Sequence, residues 1–175
     1  MKALFNFAIL IMLLAQASYA SDQLKSNTLI QAVLENNPQK ILTLLKAGED
    51  INQPTGNGES VLCAASMMGK FDAAKALIDN GANLQDSCLI LAVANGNSNI
   101  VELFLHKGKS ADTLANKNGD TLLHLAVRAN YIDVAALLLQ SGAKKDIKNK
   151  DDLTPSDLIK QAREKLDKLD ALLAH

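Results

Sequence analysis

Four times along this chain an alanine is followed sixteen residues later by a glycine: Ala32 and Gly48, Ala65 and Gly81, Ala92 and Gly108, Ala126 and Gly142. Successive alanines stand 33, 27 and 34 residues apart. Recurrence at such a period specifies a stack of small units, each of which can bury its apolar face only against its neighbours. Between each alanine and its glycine the pattern predicts helix, short turn, helix. In the fourth unit Leu122, Leu123, Leu125 and Ala126 form the apolar stripe of one helix, Asn130 breaks it, and Val134, Leu137 and Leu138 form the stripe of the next. Helices this short are marginal alone and must lean on the adjoining pair.

The residues around these stripes carry a resemblance. Gly119-Asp120-Thr121-Leu122-Leu123-His124-Leu125-Ala126 resembles the ankyrin-repeat signature Gly-x-Thr-Pro-Leu-His-x-Ala, with Leu122 in place of proline. Ala135-Ala136-Leu137-Leu138-Leu139-Gln140-Ser141-Gly142-Ala143 is similar to that family's second helix and its terminal Gly-Ala. The second unit repeats both parts in register, from Gly58 to Ala65 and from Ala76 to Asn83, and the first ends Leu44-Leu45-Lys46-Ala47-Gly48-Glu49-Asp50-Ile51-Asn52. Thr154-Pro155-Ser156-Asp157 opens a last helix, with proline at the first turn where its missing donor costs nothing. Leu158, Ala162, Leu166, Leu169 and Leu173 then recur at helical spacing, as in a C-terminal cap with a polar outer face.

The resemblance implies an all-α repeat solenoid of stacked helix-turn-helix units, with short β-hairpin fingers and a C-terminal capping helix. The units fall at about 24–52, 53–85, 86–115 and 116–148, with the cap at 149–175. The shortened interval between Ala65 and Ala92 lies between Asn83 and Ser87, where the family extends a finger. That finger is expected to be missing, either by drift of a tolerant loop or as a notch that admits part of a partner.

Lys2, the apolar run from Leu4 to Leu14 and the small-x-small end Ser18-Tyr19-Ala20 read as a signal peptide cleaved after Ala20. The run is shorter than the roughly 20 residues of a spanning helix, so no stable membrane insertion is expected after cleavage. The expected location of residues 21–175 is periplasmic or secreted. Cleavage removes one base and no acid, shifting the net charge from −1 to about −2 and giving no pull toward nucleic acid or anionic lipid. Lys144, Lys145, Lys148 and Lys150 are followed at once by Asp151 and Asp152, as in a solvated finger.

Two cysteines, Cys63 and Cys88, are present, and an even number in an oxidising compartment invites a disulfide. Buried free thiols are the competing reading. His106, His124 and His175 are the three histidines, with no metal-ligand spacing among them. His106 stands near a helix end that favours a cation, and His124 falls at the position where the resemblance implies a structural histidine that ties its turn to the next unit. No phosphate loop, nucleophile elbow or base-stacking array is present. The chain is therefore read as a non-enzyme without cofactor or metal site.

What remains is a binding surface. The resemblance implies that partners meet the finger tips and the exposed ends of the inner helices. Those positions are Gln53, Asn57 and Glu59 in the first finger, Met67 and Met68 on the second unit's inner helix, and Asn95 on the third. Lys117, Asn118, Asp120 and Arg128 follow on the fourth. Adjacent methionines suit adaptable apolar contact, although helical geometry buries at least one of such a pair. The expected role is a monomeric, non-catalytic module of the cell envelope that scaffolds or stabilises another protein. An immunity-type inhibitor of a periplasm-acting toxin or enzyme is the alternative.

Overall fold

A computed structural model describes residues 29–56 and 58–173, apart from the side chains at 169–171 and 173. The expected signal segment, Asn57 and His175 lie outside the described residues. Helical residues 29–34 form α1. It is followed by α2 (Pro38–Lys46), α3 (Val61–Met67), α4 (Phe71–Asp79), α5 (Asp86–Ala94), α6 (Ser98–His106), α7 (Leu122–Arg128), α8 (Ile132–Gln140) and α9 (Pro155–Leu173). The odd-numbered helices form an inner row in which α3 packs on α5, α5 on α7 and α7 on α9. The outer row runs α2, α4, α6, α8, each packed on the next.

The recurring alanines explain the spacing of the rows. Ala32, Ala65, Ala92 and Ala126 are all fully buried, and Leu29, Leu62, Leu89 and Leu123, three residues earlier in each unit, are buried beside them. A methyl group lets neighbouring helices approach, and the leucine fills the space left one turn away. Each alanine also closes the turn between its two helices. Its carbonyl accepts from the backbone N–H five residues on, at Asn37, Lys70, Asn97 and Tyr131, over 2.9–3.0 Å. The residue before each of those donors is left-handed: Asn36 (φ 50°), Gly69 (φ 66°), Gly96 (φ 70°) and Asn130 (φ 58°). Asparagine tolerates that conformation, but Gly69 has a second reason to be glycine. A Cβ there would lie 2.7 Å from Asn97 Oδ1, and Asn97 is needed where it stands, because its Nδ2 donates to the carbonyls of Ser66 (2.7 Å) and Met67 (3.1 Å).

Asn97 belongs to a set of side chains that tie one unit's backbone to the next. Asn36 Oδ1 accepts from Ala73 N–H at 3.0 Å, Asn52 Oδ1 from Asn83 N–H at 2.8 Å, and Asp112 Oδ1 from Lys144 N–H at 2.8 Å. Such bonds satisfy backbone donors at the unit boundaries that no helix ladder can reach.

The fingers are shorter than hairpins. One narrows to the bridge Pro54–Ser60 and another to Leu114–Thr121. Between the second and third units the chain passes from Ala82 to Asp86, the first residue of α5, with only Asn83, Leu84 and Gln85 between them. No finger is built there. The cap is anchored at its start. Thr154 and Asp157 close a reciprocal box at the start of α9, Thr154 N–H donating to Asp157 Oδ2 at 2.9 Å and Asp157 N–H to Thr154 Oγ1 at 3.2 Å. Pro155 is buried at the first turn, but residues 161–168 are all exposed, Leu166 at 58%. Of its apolar stripe Leu158 is half-buried whereas Ala162 and Leu166 are exposed, because α7, its packing partner, is a helix of seven residues while α9 has nineteen.

Candidate functional site

Two residues after each recurring alanine stands a side chain that the stack does not bury. These are Leu34, Met67, Ala94 and Arg128, one on each successive inner helix, and all four are exposed. The next positions are Glu35, Met68, Asn95 and Ala129, of which only Met68 is half-buried. The arrangement follows from helical geometry. With the alanine on the core face, the residue two positions later points to the opposite side of the helix, whereas the residue three positions later returns toward the core face at the helix end. A ridge results that is apolar at Leu34, Met67 and Ala94 and becomes basic at Arg128. Met67 and Met68 divide as the geometry requires, Met67 outward at 42% exposure and Met68 against the core.

Leu34, Ala94 and Ala129 extend the predicted set. The signal for them was available, since Leu34 stands to Ala32 as Met67 stands to Ala65.

At the finger tips Glu59 and Lys117 are exposed, and Gln53 and Asn118 half-buried. Asn118 is engaged with the final turn. Its Nδ2 donates to Asp151 Oδ2 and its carbonyl accepts from Lys150 N–H, both at 2.8 Å. Asn95, though exposed, bends its Nδ2 back onto the carbonyl of Leu91 at 2.8 Å. Asn57 lies outside the described residues.

Asp120 is a correction. Its sequence position matches a variable finger residue, but it is only 3% exposed and cannot meet a partner. Asn149 Nδ2 donates to its Oδ1 at 2.7 Å, Asn116 Nδ2 to its Oδ2 at 2.9 Å, and Arg128 Nη2 to both oxygens at 3.3 and 3.1 Å. Burial pushes the carboxyl up, but the hydrogen bonds from Asn149 and Asn116 and the Arg128 charge outweigh it and hold Asp120 below the ordinary carboxylate range. Arg128 accordingly has two duties. Half of its side chain faces solvent while its guanidinium neutralises a buried acid, so reversing its charge would strand two negative groups together and disturb the fold along with the surface.

Beside this network, His124 is fully buried. Its Nδ1 accepts from Thr121 N–H at 3.1 Å, which places the ring proton on Nε2, and Nε2 donates to the carbonyl of Leu153 at 3.0 Å. One imidazole thus completes the cap of α7 and ties the fourth unit to the start of the final one. In the second unit Cys63 occupies the equivalent place, third in α3 after the capping Ser60, whose Oγ accepts from Cys63 N–H at 3.2 Å. Cys63 also reaches the next unit, by a covalent bond. It forms a disulfide with Cys88 of α5, with the Cα atoms 4.2 Å apart.

Among the described residues, no group of three or more His, Cys, Asp or Glu side chains is placed to hold a metal ion. No helix among them is long and apolar enough to cross a membrane. What the ridge and fingers can do is present a shaped surface of mixed apolar and polar character to another macromolecule.

Comparison with known proteins agrees with this construction. A family model for ankyrin repeats in three copies matches residues 29–113 and 62–149. The chain is similar to a nuclear factor NF-kappa-B subunit of Gallus gallus, 31% identical over 136 residues that cover 71% of this chain and 14% of the relative. It is also similar to neurogenic locus notch homolog protein 1 of Xenopus tropicalis, 33% identical over 119 residues covering 64% of this chain and 5% of the relative. A further match is 2-5A-dependent ribonuclease of Mus musculus, 40% identical over 70 residues covering 40% of this chain and 10% of the relative. The chain therefore spans a small part of the length of each. Ankyrin repeats generally mediate protein–protein interaction and are typically non-catalytic modules. On its repeat register, its helix pairs and the family match across most of its length, the chain belongs to the ankyrin-repeat family.

Proposed function

We propose that this chain is an exported, non-catalytic module of the cell envelope that scaffolds or stabilises another protein through its concave face. The observation that carries the reading is the exposed ridge Leu34, Met67, Ala94 and Arg128, set at one register on successive inner helices. Met67 at 42% and Leu34 at 43% exposure are large apolar groups that the stack leaves in water, and apolar anchors of this kind carry much of an interface. Gln53, Glu59, Asn95, Lys117 and Asn118 form the polar rim. The gap left by the absent finger between Ala82 and Asp86 opens that rim next to the ridge, which favours a partner with a projecting loop. Export is supported by the leader-like segment ending Ser18-Tyr19-Ala20 and by the Cys63–Cys88 disulfide, a bond that persists in oxidising compartments.

Two experiments test the two halves of the reading. N-terminal sequencing of the protein recovered from native envelopes should begin at Ser21; an intact Met1 contradicts export with cleavage. For the surface, Met67→Asp and Leu34→Asp should each lower partner capture about thirty-fold, the equivalent of about 2 kcal/mol, with unchanged thermal unfolding. Retained capture in both variants overturns the concave assignment. These positions are cleaner probes than Met68, which packs on the core, or Arg128, which neutralises Asp120.

A further inference from the structure

Among the described residues, the outer row of helices stops one member short of the inner row. No outer helix among them follows α8, whereas α7 is followed by α9. The consequence is visible by comparing equivalent positions. Nine residues after the recurring alanines stand Ile41, Ala74 and Val101, each fully buried, and then Ala135, only half-buried. Thirteen residues after them stand Leu45 and Leu105, both half-buried, and Ile78 at 7% exposure, whereas Leu139 is 43% exposed. Ile132 is 72% exposed. Ile132, Ala135 and Leu139 fall at i, i+3 and i+7, so α8 ends the outer row with an uncovered apolar stripe. A groove lined by Val127, Tyr131, Ile132, Ala135 and Ile159 runs beside it, and Ile159 belongs to α9.

α9 carries a stripe of the same kind. Ile159, Ala162 and Leu166 are exposed at i, i+3 and i+7, and the sequence continues the series at Leu169 and Leu173. Alternating steps of three and four are the spacing of a helix that pairs with another helix. With nineteen residues, α9 is about 28 Å long, so it extends well past the seven-residue α7 that holds it. Among the described residues there is thus an open place for a helix with an apolar face, and beside it a helix whose Ile159, Ala162 and Leu166 are exposed.

We infer that two copies of this chain pair through α9, antiparallel about a two-fold axis near Leu166. Each α9 fills, against the other copy's α8 and α9, the place next in line in the outer row. The antiparallel sense follows from the fold: within every unit the short turn makes the outer helix run back along the inner one, so a helix in the vacant place runs opposite to α9. The contact is isologous, each copy supplying both the groove and its occupant. The exposed charges of α9 are of both signs, Lys160, Arg163, Glu164, Lys165, Asp167 and Lys168, and the antiparallel sense brings Arg163 of one copy alongside Asp167 of the other. It also carries the Leu172 end of one helix, 74% exposed, to the groove of its mate. Because the contact lies at the end of the stack and on its outer side, both concave faces stay open. The pair would be bivalent toward a multivalent partner.

Sedimentation equilibrium of the purified protein from about 1 μM to about 300 μM should fit a monomer–dimer equilibrium. Leu166→Glu and Leu139→Glu, on different helices and both at exposed sites, should each raise the dimer dissociation constant at least about tenfold without changing the thermal midpoint. Leu114→Glu, on an exposed finger away from the groove, should leave it unchanged. A single monomer mass over the whole range overturns the inference, as does dimerisation that survives Leu166→Glu. Loss in Leu166→Glu with full dimerisation in Leu139→Glu overturns the placement against α8. Orientation is read by oxidising mixtures of Lys160→Cys and Leu172→Cys copies, which should cross-link to each other; cross-linking of Leu172→Cys copies only among themselves overturns the antiparallel sense.

Discussion

At the residue scale, the acid at position 120 shows how a family's variable position can be taken over by the fold. Asp120 is buried because Arg128 lies two positions past Ala126, on the ridge, and can reach back across the finger at 3.1 Å. Asn149 then closes the network from the following finger. The signal for this was hidden from sequence, since Asp120 and Asn149 are 29 residues apart and nothing local pairs them. Stability should depend on pH in a defined direction. A carboxyl held below its ordinary range when folded contributes stability above about pH 4, the unfolded value, and loses it as pH falls through the folded value. Asp157, lowered by its hydrogen bonds from the Thr154 side chain and backbone, acts in the same sense. Stability of the native protein to chemical denaturation should therefore fall steadily below about pH 4. In Asp120→Asn part of that acid dependence should be gone, with a loss of about 1–3 kcal/mol at neutral pH. An unchanged acid slope in the variant would mean that the network carries no net stability.

His124 makes a complementary case, because the resemblance named its role and the structure supplies the atoms. Its two nitrogens serve Thr121 and Leu153. His124→Ala removes both bonds and leaves a cavity, and should cost about 2–4 kcal/mol. A double substitution with Thr121→Ala should cost less than the sum of the two, since each change breaks the same 2.9 Å hydrogen bond between the Thr121 hydroxyl and His124 Nδ1. Additive losses would separate the cap from the histidine.

At the scale of elements, the second and third units meet without a finger between them. Elsewhere a finger with its bridge, at Pro54–Ser60 or Leu114–Thr121, adds backbone contact along the row. At the α3–α5 seam the Cys63–Cys88 disulfide stands in that region instead, closing a sequence separation of 25 residues. Constraint of a loop of that length is worth about 3 to 4 kcal/mol in the unfolded chain. Reduction, or Cys63→Ala with Cys88→Ala, should lower unfolding stability by about that amount. Hydrogen exchange should rise first at α3, α5 and the loop between Ala82 and Asp86. Equal stability of reduced and oxidised protein would leave the two sulfurs with a packing role only. The missing finger was legible from the shortened alanine interval. The bond was legible only as one of two readings, because count and compartment allow a disulfide but only the approach of the two helices decides it. α9 was legible as a capping helix with a polar outer face, but not how far its apolar stripe is covered, because helical periodicity marks an apolar face without saying what covers it.

At the scale of the whole molecule, the repeat made the fold legible. One recurring alanine–glycine pair fixed the register, and the register fixed which leucines are buried, where the turns fall and which positions look outward. Leu29, Leu62, Leu89 and Leu123 are all buried at that register. The ridge was only partly legible. Met67 drew notice through its neighbour Met68, whereas Leu34, in the same place one unit earlier, lies beside Glu35 in a segment that reads as polar. The ridge is also where the account can be tested most directly. A photo-activated cross-linking side chain placed at position 67 or 34, in cells that make the protein, should capture a protein partner. The same group at Glu102, exposed on outer helix α6, should not. Capture from position 102 with none from 67 or 34 would contradict the concave face as the working surface of this chain.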